Sequence, residues 1–163
     1  MNVVLALTQM KKFTNHIDHV TWISSLENIA MNVAALERIT EAKFTRFDRH
    51  DMGFVMYLSW EAGLEVVAPM TNRTDFNQAL HEHLRTRGEG VLGVVFGVRD
   101  LEQHKARLES LGMWVGPLMD DHPDSPWHHK LVLRERMAPP VMNSWFVLGD
   151  IDYADDVIPF GDA

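Results

Sequence analysis

The sequence predicts an α+β fold: two βαβββ modules in one domain, their sheets paired around a cup-shaped site. Three observations predict it. The order strand, helix, strand, strand, strand reads twice along the chain. Matching segments recur at similar spacing: His19-Val20-Thr21-Trp22 corresponds to Gly93-Val94-Val95-Phe96, 74 positions on, and Leu64-Glu65-Val66-Val67 to Trp145-Phe146-Val147-Leu148, 81 positions on. The chain has 163 residues, 46% hydrophobic and 23% charged, which is one ordinary domain able to fold without metal or disulfide.

Each element has a local reason. Met1 to Asn15 reads as a short strand or a loose arm. Ile17 to Ser24 is a β-branched and aromatic run, hence a strand. Leu26 to Ile39 is a helix, because Ile29, Val33, Leu36 and Ile39 recur at helical steps, with Ser24 or Ser25 available as a cap. Lys43 to Asp48, Phe54 to Ser59 and Leu64 to Ala68 are strands, separated by polar and glycine-bearing turns and ended by Pro69. Thr74 or Asp75 starts a helix through Phe76, Leu80 and Leu84 that Gly88 and Gly90 stop.

The second round begins at the strand Val91 to Val98. Asp100 caps a helix through Leu101, Leu108 and Leu111, which Gly112 ends. A strand is expected from Met113 to Val115, then a loop of prolines and aspartates from Asp120 to Pro126. His129 to Arg136 and Asn143 to Leu148 read as strands about an Ala138-Pro139-Pro140 turn. The organisation expected is an N-terminal arm over 1–15, a first module over 16–71, a linker helix over 72–90, a second module over 91–150 and an acidic tail over 151–163. The tail should pack partly through Ile151, Tyr153 and Phe160.

Composition narrows the function. Fifteen Lys and Arg stand against 23 Asp and Glu, a formal charge of -8. That disfavours nucleic acid, whose phosphates call for clustered basic residues, and disfavours anionic membrane surfaces. No apolar run is long enough to span a membrane. The absence of cysteine removes disulfides, thiolate metal sites and a Cys nucleophile, and leaves the cytoplasm as the default location. No nucleophile motif, Walker loop or dinucleotide fingerprint is present.

Several side chains carry potential chemistry. Glu65 sits in the apolar run Leu64 to Val67, where a carboxylate needs a partner or a raised pKa unless it points to solvent. His128 and His129 alternate across a strand, so at most one enters the cup. His16 faces away from His19. His81-Glu82-His83 lacks the spacing of a helical zinc motif, and His50 and His104 read as surface residues. His122, in the Asp/Pro loop, is a lid candidate. Five tryptophans, Trp22, Trp60, Trp114, Trp127 and Trp145, serve either as core and dimer packing or as aromatic walls for a flat ligand.

Ile17-Asp18-His19-Val20, Gly63 through Pro69, Arg87 through Gly90 and Val95 through Glu102 together resemble the vicinal oxygen chelate superfamily, which includes glyoxalases, bleomycin-resistance proteins and extradiol dioxygenases. The resemblance spans roughly Ile17 to Asp150. It implies a homodimer and a divalent metal held by four side chains from the first and fourth strands of each module. His19 and Glu65 take the first-module positions. The second-module positions fall on Gly93 and Phe146, neither of which binds a metal, so the cofactor implied is none or a weakly held divalent ion. His19 and Glu65 are then the candidate catalytic pair, with Thr21, Trp22, Val95, His129 and Trp145 as candidate substrate-binding residues. The function implied is proton-transfer chemistry, as isomerase, epimerase or lyase, on a carbonyl-bearing or aromatic small molecule. The alternatives are a non-catalytic small-molecule-binding protein and a ring-cleaving dioxygenase.

Overall fold

The computed structural model describes residues 11–158. Among them, eight strands form one continuous sheet and three helices pack against it. The first half comprises β1 (His16–Ile23), α1 (Ile29–Thr40), β2 (Thr45–Arg49), β3 (Phe54–Ser59) and β4 (Leu64–Pro69). The helix α2 (Asp75–Arg87) links it to β5 (Gly90–Gly97), α3 (Leu101–Ser110), β6 (Leu118–Asp120), β7 (Leu131–Val141) and β8 (Ser144–Tyr153). The strand order is β2-β3-β4-β1-β5-β8-β7-β6. Each half therefore brings its first strand parallel to its last, β1 beside β4 and β5 beside β8, and the antiparallel β1–β5 pair joins the halves. Among the described residues no helix is long and apolar enough to cross a membrane.

Period-two alternation sorts the side chains between the two faces. On β3, Phe54, Met56 and Leu58 join the main core that surrounds the cup, while Val55 and Tyr57 pack with Ile29 and Val33 of α1. On β8, Trp145, Val147, Ile151 and Tyr153 face the cup side, whereas Phe146 and Leu148 pack with Leu101 beneath α3. Residue 146 thus lies on the wrong face for a ligand in the cup.

Several boundaries differ from the sequence expectation. No strand forms over Met113 to Val115, because the Met113 N–H is used to close α3: it donates to Leu108 O at 3.0 Å, beside Gly112 at φ 75°. The strand resumes only at Leu118. Ala138-Pro139-Pro140 is not a turn but part of β7, where pairing with β8 is interrupted between Ala138 and Val141 and the missing proline N–H groups cost nothing. The hairpin turn falls instead on Met142 and Asn143, both at positive φ. β8 runs through Tyr153, so the acidic tail starts inside the sheet, and Ile151 and Tyr153 are almost fully buried. Phe160 lies outside the described residues, as does most of the N-terminal arm; within that arm, Lys11 pairs with Tyr153. α1 begins at Ile29 after Asn28; Ser25 caps the turn that leads into it, its Oγ accepting from the Asn28 N–H at 3.3 Å and its carbonyl from the Ile29 N–H at 3.0 Å. Ser24 does not cap it, and both serines hydrogen-bond Glu89, which also accepts from Asn28 and Asn32 and so ties the start of the second half to α1. Those donors, led by the Ser25 backbone N–H, hold the Glu89 carboxyl down at about 2.

One glycine decides the centre of the sheet. A Cβ on Gly93 would lie 2.1 Å from Trp145 O, so β5 and β8 pair here only because residue 93 has no side chain. Gly93→Ala is expected to cost about 1–3 kcal/mol by overpacking. That lowers the thermal midpoint by about 3–10 °C, read by circular dichroism; an unchanged midpoint would mean that the strands separate freely.

Candidate functional site

The halves enclose a cavity of about 120 Å³ on the face of the sheet opposite α1 and α3. Strand register places its floor. Thr21 is opposite Glu65 on β4 and Gly93 on β5, and Gly93 is opposite Trp145 on β8. One step along, His19 pairs with Val95, Val95 with Val147 and Val147 with Met137. Next comes Gly149, opposite Glu135 of β7. The walls are apolar and aromatic, among them Phe47, Phe54, Trp60, Phe76 and Trp127.

His19 is the polar centre, 3% exposed. Its Nδ1–H donates to Asp18 Oδ1 at 2.8 Å, and its Nε2 faces Glu65 Oε2 at 3.4 Å. Tyr153 OH donates to the same Asp18 oxygen at 2.6 Å, and Thr21 Oγ1 donates to Glu65 Oε2 at 2.7 Å. Consecutive residues on a strand normally face opposite sides; here a register irregularity between Ile17 and His19 lets Asp18 reach the ring of its neighbour. Trp60 meets the imidazole edge-on, 5.4 Å between centroids, and packs in turn on Trp127 and Tyr153. Burial alone would push the imidazole down. The Asp18 and Glu65 carboxylates, then the field of Glu135, outweigh it and raise His19 to about 10. The ring is therefore an imidazolium at neutral pH. Burial and the neighbouring Asp18 also push the Tyr153 phenol up, which keeps it a donor.

Glu135 is the residue that sequence reasoning missed. It lines the cavity, and its buried Oε1 has no hydrogen-bond partner among the described residues. Burial, reinforced by the Glu65 and Asp18 carboxylates and opposed by His19, raises it to about 7. The signal was available: Leu131, Leu133, Glu135 and Met137 alternate on one face of β7, a carboxylate on an otherwise apolar row.

The other expected residues divide. Thr21, Val95 and Trp145 line the cavity with His19 and Glu65. Trp22 does not: it packs with the core under α1, because alternation from His19 through Thr21 turns it to the opposite face. His129 does not either: it is exposed in the turn that precedes β7, its ring beside that of His128. The loop from Asp120 closes one side. Asp121 anchors it, accepting from Trp127 Nε1, Ser125 Oγ and the His128 ring, and His122 stacks on Phe47.

Solved structures with a similar fold include methylmalonyl-CoA epimerases. One, in complex with methylmalonyl-CoA and ammonium, has a TM-score of 0.63 at 18% identity, over 88% of this chain and 97% of that one. A variant of the Streptomyces coelicolor enzyme, in complex with 2-nitronate-propionyl-CoA, gives 0.65 at 17%, over 88% and 97%. The Mycobacterium tuberculosis enzyme gives 0.62 at 17%, over 91% and 93%. The fold is the vicinal oxygen chelate fold. No protein-family model and no curated protein matches the chain.

The residues do not fit the four-ligand metal site associated with the vicinal oxygen chelate fold. His19 and Glu65 supply two donor side chains from the first half, fewer than a firmly held ion needs. Across the β1–β5 join, the cup-facing positions of β5 and β8 are Gly93, Val95, Trp145 and Val147, none with a donor side chain. No side chain can be restored at residue 93 without moving β8. Among the described residues, no group of three or more His, Asp or Glu is placed to hold a metal ion.

Proposed function

We propose that the protein catalyses proton transfer at a carbon next to a carbonyl group, as an isomerase or epimerase of small molecules. The observation that carries this reading is the Glu135 carboxyl, its buried Oε1 unpartnered among the described residues, sharing one cavity with the His19 imidazolium. Two titratable groups pushed apart by their surroundings divide the work of base and electrophile. Glu135, at about 7, is matched to accepting a proton from carbon near neutral pH. The C–H electron pair moves into the carbonyl, and the imidazolium stabilises the enolate oxygen through its charge and its Nε2–H, shared between Glu65 and the substrate. Asp18 and Tyr153 hold the ring in place. Glu65 and Glu135 flank His19 in strand order; Glu135 returns its proton to the carbon in an isomerisation, and return to the opposite face, as in epimerisation, requires Glu65 to enter the cycle protonated. The aromatic walls exclude water from the enolate.

The test is isotope exchange. Enolisable carbonyl compounds are incubated with the protein in D2O, and loss of the α-proton is followed by NMR. Exchange is expected for at least one compound, with the same rate in excess chelator. Tight binding of compounds without any exchange would assign the cavity to sequestration instead.

A further inference from the structure

The charge lining the cavity selects among substrates more sharply than its shape does. Resting on the proton-transfer reading above, we propose that the cavity takes an uncharged, ring-bearing carbonyl compound and excludes anionic acyl compounds, including the CoA esters bound by its structural neighbours. Even with His19 charged, the carboxylates of Asp18 and Glu65 on its two nitrogens exceed its charge. Among the described residues, Arg49 is the other cation at the cavity, and its Nε and Nη2 are already paired with Asp51 Oδ1 and Oδ2 at 3.0 and 2.9 Å. The mouth adds Asp120 and Asp121. A carboxylate entering here meets acidic groups and finds no cation that is not already engaged by a carboxylate.

The polar groups beside the cavity make no demand for an anion. Among the described residues, two buried side-chain atoms lack a hydrogen-bond partner, Trp60 Nε1 and Glu135 Oε1, and both residues line the cavity. One is a neutral N–H with no accessible surface, and the other belongs to a carboxyl group that repels a second carboxylate. The remaining surface, with Phe47, Phe76 and Trp145, offers ring faces and edges on which a planar molecule packs.

The experiment compares probes that share one skeleton. Binding of methyl 4-acetylbenzoate, 4-acetylbenzoate and the (4-acetylphenyl)trimethylammonium cation is titrated by quenching of tryptophan fluorescence at low salt, with methylmalonyl-CoA alongside. The neutral ester is expected to bind at least tenfold more tightly than the carboxylate and than methylmalonyl-CoA. The Asp120→Lys variant is expected to narrow that gap. Equal or tighter binding of the carboxylate or of methylmalonyl-CoA overturns the proposal. So do tightest binding of the cation, a gap unmoved by Asp120→Lys, and absence of binding by every probe up to millimolar concentration. Because the readout is affinity, selective ester binding without isotope exchange would retire the proton-transfer reading and leave this one standing. Exchange confined to anionic compounds would do the reverse.

Discussion

Replacing Glu135 by Gln is expected to lower the rate of α-proton exchange by about 10²–10⁴-fold, the usual contribution of a positioned general base. Ligand affinity should change little, since the amide keeps the volume of the carboxyl. The pH profile of the wild-type rate follows from the same two groups. The rate rises as Glu135 loses its proton near 7 and falls as His19 loses its own near 10. In the Glu135→Gln variant the acidic limb disappears. Stability moves the opposite way. A carboxyl whose folded-state pKa is raised from 4.5 to about 7 favours folding below 4.5 and loses that contribution as pH rises through 7. At pH 8 the variant no longer buries that charge and should be more stable by on the order of 2 kcal/mol. The midpoint then rises by about 4–8 °C. An unchanged rate in the variant would end the assignment of Glu135 as base.

His19→Ala is expected to damage both fold and chemistry. The imidazolium is paired with two carboxylates in a buried site, Asp18 and Glu65. Removing one member of a buried ion pair costs about 3–5 kcal/mol, because a charge is left behind without a partner. The thermal midpoint should fall by about 10–15 °C at pH 6. His19 is raised from 6.5 to about 10, so its contribution is complete below 6.5 and is lost as pH rises through 10. The gap between wild type and variant should therefore close toward pH 10. Loss of the oxyanion donor should lower exchange by about 10²–10³-fold in the protein that remains folded. Scanning calorimetry at pH 6, 8 and 10 separates the stability effect from the kinetic one.

The architecture was legible because its signals are local and repeated. Alternation along Phe54 to Ser59, helical spacing from Ile29 to Ile39, and the doubled strand–helix–strand order each predict an element without reference to the rest of the chain. His19 and Glu65 stood out as polar residues in apolar strands of matching position. Trp22 was misplaced although strict alternation from His19 already turned it away. Glu135 carried the same signal as Glu65. The four-ligand pattern of the family places second-half ligands on β5 and β8, whereas this carboxylate comes from β7. Asp18 was beyond reach of alternation, since a register irregularity in β1 reverses the usual rule for its one position. His129 was read as strand because it adjoins the apolar run of β7, but pairing with β8 starts only at Leu131.

That irregularity in β1 also governs where the free energy of the polar cluster comes from. Asp18 and His19 are chain neighbours, so their encounter closes no loop and adds little chain-entropy cost. Glu65 and Tyr153 are different: each is recruited from a distant strand, and each contact exists only when the chain entropy of a long loop has been surrendered. The adjacent pair is thus assembled at little entropic cost, and the distant partners are what tie it to the rest of the sheet.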